Sequence, residues 1–199
     1  MLHAVWPRAI LAGLLLSLSL SFVSSSAFAA PPEDTDGAAD EPHLALGAGS
    51  HVAFGPTPAI ALGAHVSAEL VTRVWSLGLE GRYDLSTSDV RTLQGQAVRT
   101  KLAGGSFVPC LRARGLWACG VVLASRVTSD GAEAINARFF LGIGARFELH
   151  LALPSDFALR LCGELLTHPF AYELVANGHR VFRSSILSTM IGPSLVHAF

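Results

Sequence analysis

Over residues 43–199 the chain alternates apolar and polar positions with a period of two. The clearest stretch is 139–153. Phe139, Leu141, Ile143, Ala145, Phe147, Leu149, Leu151 and Leu153 fall on one side, and Phe140, Gly142, Gly144, Arg146, Glu148 and His150 on the other. A β-strand sends successive side chains to opposite faces, so this segment has one apolar face and one small or charged face. A helix would set Arg146 and Glu148 among the leucines. The pattern recurs. Ile60, Leu62, Ala64, Val66, Ala68 and Leu70 oppose Gly63, His65, Ser67 and Glu69, and Phe157, Leu159, Leu161 and Leu165 oppose Arg160, Cys162 and Glu164. Read this way, the spacing predicts strands over 43–54, 59–71, 73–86, 98–112, 116–128, 138–153, 157–168 and 185–199. The fold class that follows is all-β, an eight-stranded antiparallel up-and-down β-barrel, and the link lengths, aromatic positions and last strand described next make it a transmembrane β-barrel.

The alternation alone does not say which face is the core. The second face carries Glu69, Glu80, Arg82, Lys101, Arg126, Arg146, Glu148, Arg160 and Glu164 among many glycines. Two features place the apolar face outward, in lipid. First, the links alternate in length. Those at 71–73, 113–115 and 154–156 are tight, whereas those around 87–97, 129–137 and 169–184 are long, as in barrels with short periplasmic turns and longer external loops. The first link, Gly55-Pro56-Thr57-Pro58, is short for an external loop. Second, aromatic residues of the apolar face gather at strand ends. Trp75, Trp117, Phe157 and Phe199 are expected at the periplasmic rim, and Phe54, Tyr83 and Phe139 at the outer rim. Amphipathic rings favour the headgroup level and form two girdles.

A third feature is the chain end. Phe199 closes an amphipathic strand, which resembles the terminal signal of bacterial outer-membrane barrels that their assembly machinery recognises. Residues 43–199 resemble the small eight-stranded OmpA/OmpX type. The resemblance implies a monomer in the outer membrane of a Gram-negative bacterium, with the lipid bilayer, lipopolysaccharide and the assembly machinery as partners. The last strand departs from the usual signal at His197, and Pro193 interrupts it. In lipid every backbone polar group must be paired inside the protein, and a closed barrel achieves this without edges. Eight strands leave an interior wide enough only for side chains, so the nine charged residues are read as a lumen charge network that fills the barrel.

Composition agrees. The chain is 51% hydrophobic and 15% charged, with mean hydropathy +0.47, too apolar for disorder. A net charge of −1 asks for no nucleic-acid partner. Residues 1–29 read as a secretory signal: Arg8, an apolar run over 10–23, and Ala27-Phe28-Ala29 before the cleavage point. Residues 30–42, with Glu33, Asp34, Asp36, Asp40 and Glu41, read as an acidic disordered leader.

Candidate chemistry is sparse. Cys110 and Cys119 flank the turn at Arg114-Gly115 symmetrically, so they face one another on neighbouring strands and are expected to form a disulfide outside the cytoplasm. Cys162 is read as a buried thiol. His51, His65 and His150 share the inward face, but no metal-binding motif joins them; interior polar filler is the reading, a chance metal site the alternative. His65-Val66-Ser67 with Glu69 resembles the His-x-Ser pair of lipid A deacylases, although these residues point inward, away from acyl chains. Gly47-Ala48-Gly49 and Gly142-Ile143-Gly144 are small inward barrel residues, not a dinucleotide fingerprint. The link at 169–184 is read as a solvated loop, with contact of Arg180 and Arg183 to anionic lipopolysaccharide as the alternative. The function expected is a non-enzymatic structural or surface-interaction barrel without cofactor. The alternatives are a narrow transport pore, a lipid A-modifying hydrolase and a soluble lipid-binding barrel.

Overall fold

The computed structural model describes residues 41–91, 97–113, 116–130, 134–135, 139–176 and 178–199. The signal reading at 1–29 and nearly all of the leader lie outside them. Every regular element among the described residues is a β-strand: β1 His43–Phe54, β2 Ala61–Val71, β3 Trp75–Ser86, β4 Val90–Arg91, β5 Ala97–Ala113, β6 Leu116–Asp130, β7 Ala134–Ile135, β8 Phe139–Ala152, β9 Phe157–Thr167, β10 Glu173–Ala176, β11 His179–Arg183 and β12 Leu187–Ala198. Eight of these, β1, β2, β3, β5, β6, β8, β9 and β12, pair antiparallel in sequence order, and β12 returns to β1 to close the barrel. Closure leaves no wall strand with an unpaired edge.

The tight turns lie at one end. Between β2 and β3, the Thr72 hydroxyl donates to the Trp75 carbonyl at 2.9 Å and accepts from Trp75 N–H at 3.0 Å, fixing the reversal. Between β8 and β9, Ser155 and Asp156 take positive φ (64° and 60°), and the Asp156 carbonyl accepts from Ala198 N–H at 3.1 Å. Pro193 stays inside β12. Its ladder to β9 is unbroken, but the pairing with β1 lapses between Gly49↔Ser194 and Val52↔Ile191. Proline has no N–H, so the missing donor is spent on one side only.

At the other end the links build extra structure. β10 and β11 form a hairpin, turned at Gly178 (φ 71°), and β7 pairs with β10. Tyr172, Leu174 and Ala176 from this hairpin pack on Val98, Leu102, Val127 and Phe140 of the barrel's inner face. The link at 169–184, read as a solvated loop, is therefore partly a small sheet with its own buried side.

On β1, β2, β3, β8, β9 and β12 the apolar positions face out. Val66, Leu79, Phe147, Leu165 and Ile191 are all more than half exposed. The hairpin β5–β6 differs. Its inward face is mainly apolar, with Val98, Leu102, Val108, Cys110, Trp117, Cys119, Val121, Leu123 and Val127 interspersed only with small hydroxyl residues such as Thr100, Ser106 and Ser125. Three expectations are corrected here. Trp117 is buried inside instead of in the rim girdle, because Arg112↔Trp117 and Cys110↔Cys119 share one face across the turn. Lys101 and Arg126 lie on the outer face, not in the lumen. Both faces of β6 are apolar over most of its length, so alternation cannot choose between them. β5 and β6 are also the longest strands, at 17 and 15 residues, and these charges sit on the part nearest the long links.

Candidate functional site

The interior of the barrel is a ladder of guanidinium–carboxylate contacts that spans opposite walls. Arg146 on β8 is its hub. Its Nη1 and Nη2 donate to Glu80 of β3 at 2.8 and 3.1 Å, and its Nε and Nη2 donate to Glu164 of β9 at 3.0 and 2.6 Å. Arg82 on β3 crosses the other way, donating from Nη1 to Glu164 at 2.9 Å and from Nε to Asp84 at 3.3 Å. Arg160 on β9 reaches β2, bonding Glu69 and donating to Ser67 Oγ at 3.1 Å, and it also donates to Ser194 Oγ at 2.9 Å. Glu148 lies 3.5 Å from Arg146 and 3.8 Å from Arg160, and hydrogen-bonds His150 at 3.1 Å. Of the expected lumen residues the structure thus brings together Glu69, Glu80, Arg82, Arg146, Glu148, Arg160 and Glu164. Asp84 belongs with them, although the sequence reading did not single it out.

Register explains the meeting. Arg146 pairs directly with Glu164 across β8–β9, whereas Glu80 stands on the far wall. Bidentate guanidinium contacts are strong and directional, so each cross-lumen fork fixes the distance between two walls. Small residues make the room. Beside Gly63, a Cβ would fall on the His51 and Asp84 side chains, which bond one another directly over it. Gly78 and Gly142 are likewise inward and closely approached.

Nearer the long links the lining changes from charged to aromatic. His168 stacks on Phe140 with ring centroids 3.9 Å apart, and its ring nitrogens meet the Leu141 carbonyl at 2.8 Å and Ser188 Oγ at 2.6 Å. Above it, Tyr172 meets Phe140 edge-on at 5.4 Å and donates its hydroxyl to the Pro56 carbonyl. Burial pushes the Tyr172 phenol up from its ordinary value. This contact ties the short first link to the β10–β11 hairpin. No sequence motif announced it; the only signal was the alternation of Tyr172, Leu174 and Ala176 against Glu173.

The remaining candidates separate. Cys110 and Cys119 are joined by a disulfide. Glu148 stands close to both sulfurs, but the bonded sulfurs offer no thiolate to a metal. Cys162 is a buried thiol donating to the Gly192 carbonyl at 3.3 Å. His65 and Ser67 do not hydrogen-bond: Ser67 serves Arg160, and His65 meets His51. A Ser–His–carboxylate relay is thus not assembled at these residues. Outside the barrel, Lys101 pairs with Asp130 at 2.5 Å and Arg99 with Asp89 at 2.9 Å. Arg126 makes no ion pair among the described residues and lies in one row with Tyr83, Ala103 and Phe139. In the hairpin, Arg180 and Arg183 share the single carboxylate of Glu173, at 3.0 and 3.7 Å.

Neither a family model nor a curated protein matches the chain by sequence. Solved structures do match by shape. The crystal structure of Neisserial surface protein A (NspA) superposes with a TM-score of 0.52 at 10% identity, covering 79% of this chain and 97% of that one. The outer membrane protein Ail of Yersinia pestis, solved in a phospholipid bilayer nanodisc, gives 0.47 at 11% identity, covering 80% and 100%. What the first shares with this chain is the fold, the small closed barrel of eight antiparallel strands.

Proposed function

We propose that this chain is an integral outer-membrane β-barrel, non-enzymatic, with a lumen closed by its own side chains and a structural or surface-interaction role. The observation that carries this reading is the reversed polarity of the wall. Large apolar side chains such as Leu79, Phe147 and Ile191 stand exposed around the outside, while Arg146 and Arg160 are almost fully buried inside. Water would penalise the first, and an apolar interior would penalise the second. A bilayer around a charge-filled barrel satisfies both. The fold shared with NspA and the signal reading at 1–29 support the same location.

With the tight turns periplasmic, the long links and the β10–β11 hairpin face the cell exterior. Outward-facing Arg126, flanked in its row by Phe139, then falls at the level of outer-leaflet headgroups, where a guanidinium suits a phosphate of lipopolysaccharide. Arg180 and Arg183 add surplus positive charge beyond it, since one Glu173 serves both. NspA is a surface protein, which fits a role read from outside.

Planar-bilayer recording tests the closed lumen. Purified, refolded protein is expected to insert and leave the bilayer without discrete conductance steps. Reproducible steps from the native chain, lost when it is denatured before insertion, would overturn the closed lumen and favour a narrow pore.

A further inference from the structure

The glycines of the wall are of two kinds. Those facing the lumen are held small by their neighbours: a Cβ at Gly49, Gly104, Gly144 or Gly192 would come within 2.4 Å of a backbone oxygen. Gly81 of β3 and Gly105 of β5 face outward instead. A Cβ at Gly81 would meet only Val66 Cγ2, at 3.7 Å, and one at Gly105 only the Glu80 carbonyl, at 3.3 Å. A glycine inside a strand weakens it and often marks a place where another group comes up against the backbone. No group of the described chain takes that place at Gly81.

The two glycines pair directly and, with Ala124 of β6, floor an outer groove of about 820 Å³. Val66 closes one end, and Leu79, Phe107 and Val122 form the lip toward the tight turns. Toward the long links the next row reads Tyr83, Ala103 and Arg126. The groove therefore opens over the small Ala103, between a phenol ring and a guanidinium. Arg126 is the charge left over on this face. Lys101 is neutralised by Asp130 and Arg99 by Asp89, whereas no carboxylate stands on Arg126 among the described residues. An apolar trough ending under an unpaired cation matches a molecule with an anionic head and a hydrocarbon tail.

We propose that this groove seats one acyl chain of the lipid A part of lipopolysaccharide, with a lipid A phosphate on Arg126. The inference rests on the outer-membrane reading and its orientation, which put Arg126 in the outer leaflet. A chain leaving a phosphate at Arg126 passes over Ala103 and lies on Gly81, Gly105 and Ala124. There the hydrocarbon gains close contact with the wall, where a row of large side chains would hold it away. The row from Val66 to Ala124 crosses three interstrand spacings, about 14 Å, close to the half-thickness of about 15 Å that one leaflet's chains occupy. The guanidinium, flanked by hydrocarbon, gains a counter-charge and a two-pronged hydrogen bond.

The test uses the full chain refolded in detergent, with purified lipid A as the probe, and counts bound lipid by native mass spectrometry. The wild type is expected to hold about one lipid A per chain. Gly81→Leu, which fills the groove, and Arg126→Leu, which removes the cation, are each expected to bind about tenfold more weakly or worse. Gly163→Leu puts the same side chain on an outward glycine of β9 with open space around it, two strands from β6, and is expected to match the wild type. Lipid A stripped of its phosphates should bind the wild type as weakly as intact lipid A binds Arg126→Leu. A wild type whose band shifts on boiling in SDS but which holds no lipid A, or a Gly81→Leu that holds as much as the wild type, overturns this inference and leaves the barrel reading standing. A wild type with no such shift overturns the barrel reading itself. Phosphatidylglycerol bound as tightly as lipid A would give the groove to a phospholipid, and a dimer lost in Gly81→Leu would give it to a second copy; either contradicts the proposal. Should Gly81→Leu fail to refold, Ala124→Leu on the same floor replaces it with the same expectation.

Discussion

The two sides of the barrel are built on different physics. Strands β2, β3, β8 and β9 present charge inward and apolar residues outward, and their interior is held by forks such as Arg146 between Glu80 and Glu164. The β5–β6 hairpin presents Val108, Val121, Leu123 and Val127 inward, and on its outer face near the long links it carries Lys101 and Arg126. The first wall is held by directional contacts, the second by packing. The charged half therefore sets distances across the lumen, while the apolar half gives the charged side chains and the external hairpin a dry surface to close against.

Four substitutions separate these contributions. The largest loss is expected on the charged side. Arg146→Ala leaves Glu80 and Glu164 buried without their shared partner and should cost about 3–5 kcal/mol in urea unfolding of the micelle-bound protein. A loss below 1 kcal/mol would mean that the lumen is solvated. Next, a charge placed on the lipid side of the packed hairpin, Val122→Arg, should cost about 2–4 kcal/mol, the range for arginine at the bilayer midplane. A neutral result would place the outer face of β6 in water. Tyr172→Phe removes the donor to the Pro56 carbonyl and should cost about 1–3 kcal/mol in the same assay, with increased proteolysis of the β10–β11 hairpin. Smallest is Arg126→Leu, within about 1 kcal/mol of wild type, because arginine near the interface costs little. Its effect should appear instead as fewer lipopolysaccharide molecules copurified.

The charged side was legible in the sequence and the packed side was not. Arg146, Glu148, Arg160 and Glu164 alternate with leucines and phenylalanines, which leaves one arrangement for a strand. All eight wall strands, whose predicted limits fall within two residues of the observed ones, follow from that period. On β6, Leu116, Ala118, Val122 and Ala124 alternate with Trp117, Cys119, Val121 and Leu123, so period two carries no polarity there. Lys101 and Arg126 were then drawn inward by analogy with the other strands, and Trp117 outward. The cysteine pair fixes only that Trp117 shares a face with Cys110 and Cys119; that this face is the inner one is set by the folded barrel. Cross-lumen partners were not legible at all. Glu80 and Arg146 are 66 residues apart, and only barrel closure opposes them. The cap escaped for the same reason: Tyr172 and Pro56 lie 116 residues apart in sequence.

The central claim is that the exposed apolar wall faces lipid. It is tested most directly by fractionating expressing cells and running the membrane-extracted protein in SDS with and without boiling. The account predicts recovery in the outer-membrane fraction, extraction only by detergent, and a band that shifts on boiling as the closed barrel unfolds. Recovery as a soluble periplasmic protein, with one band regardless of heating, would contradict it.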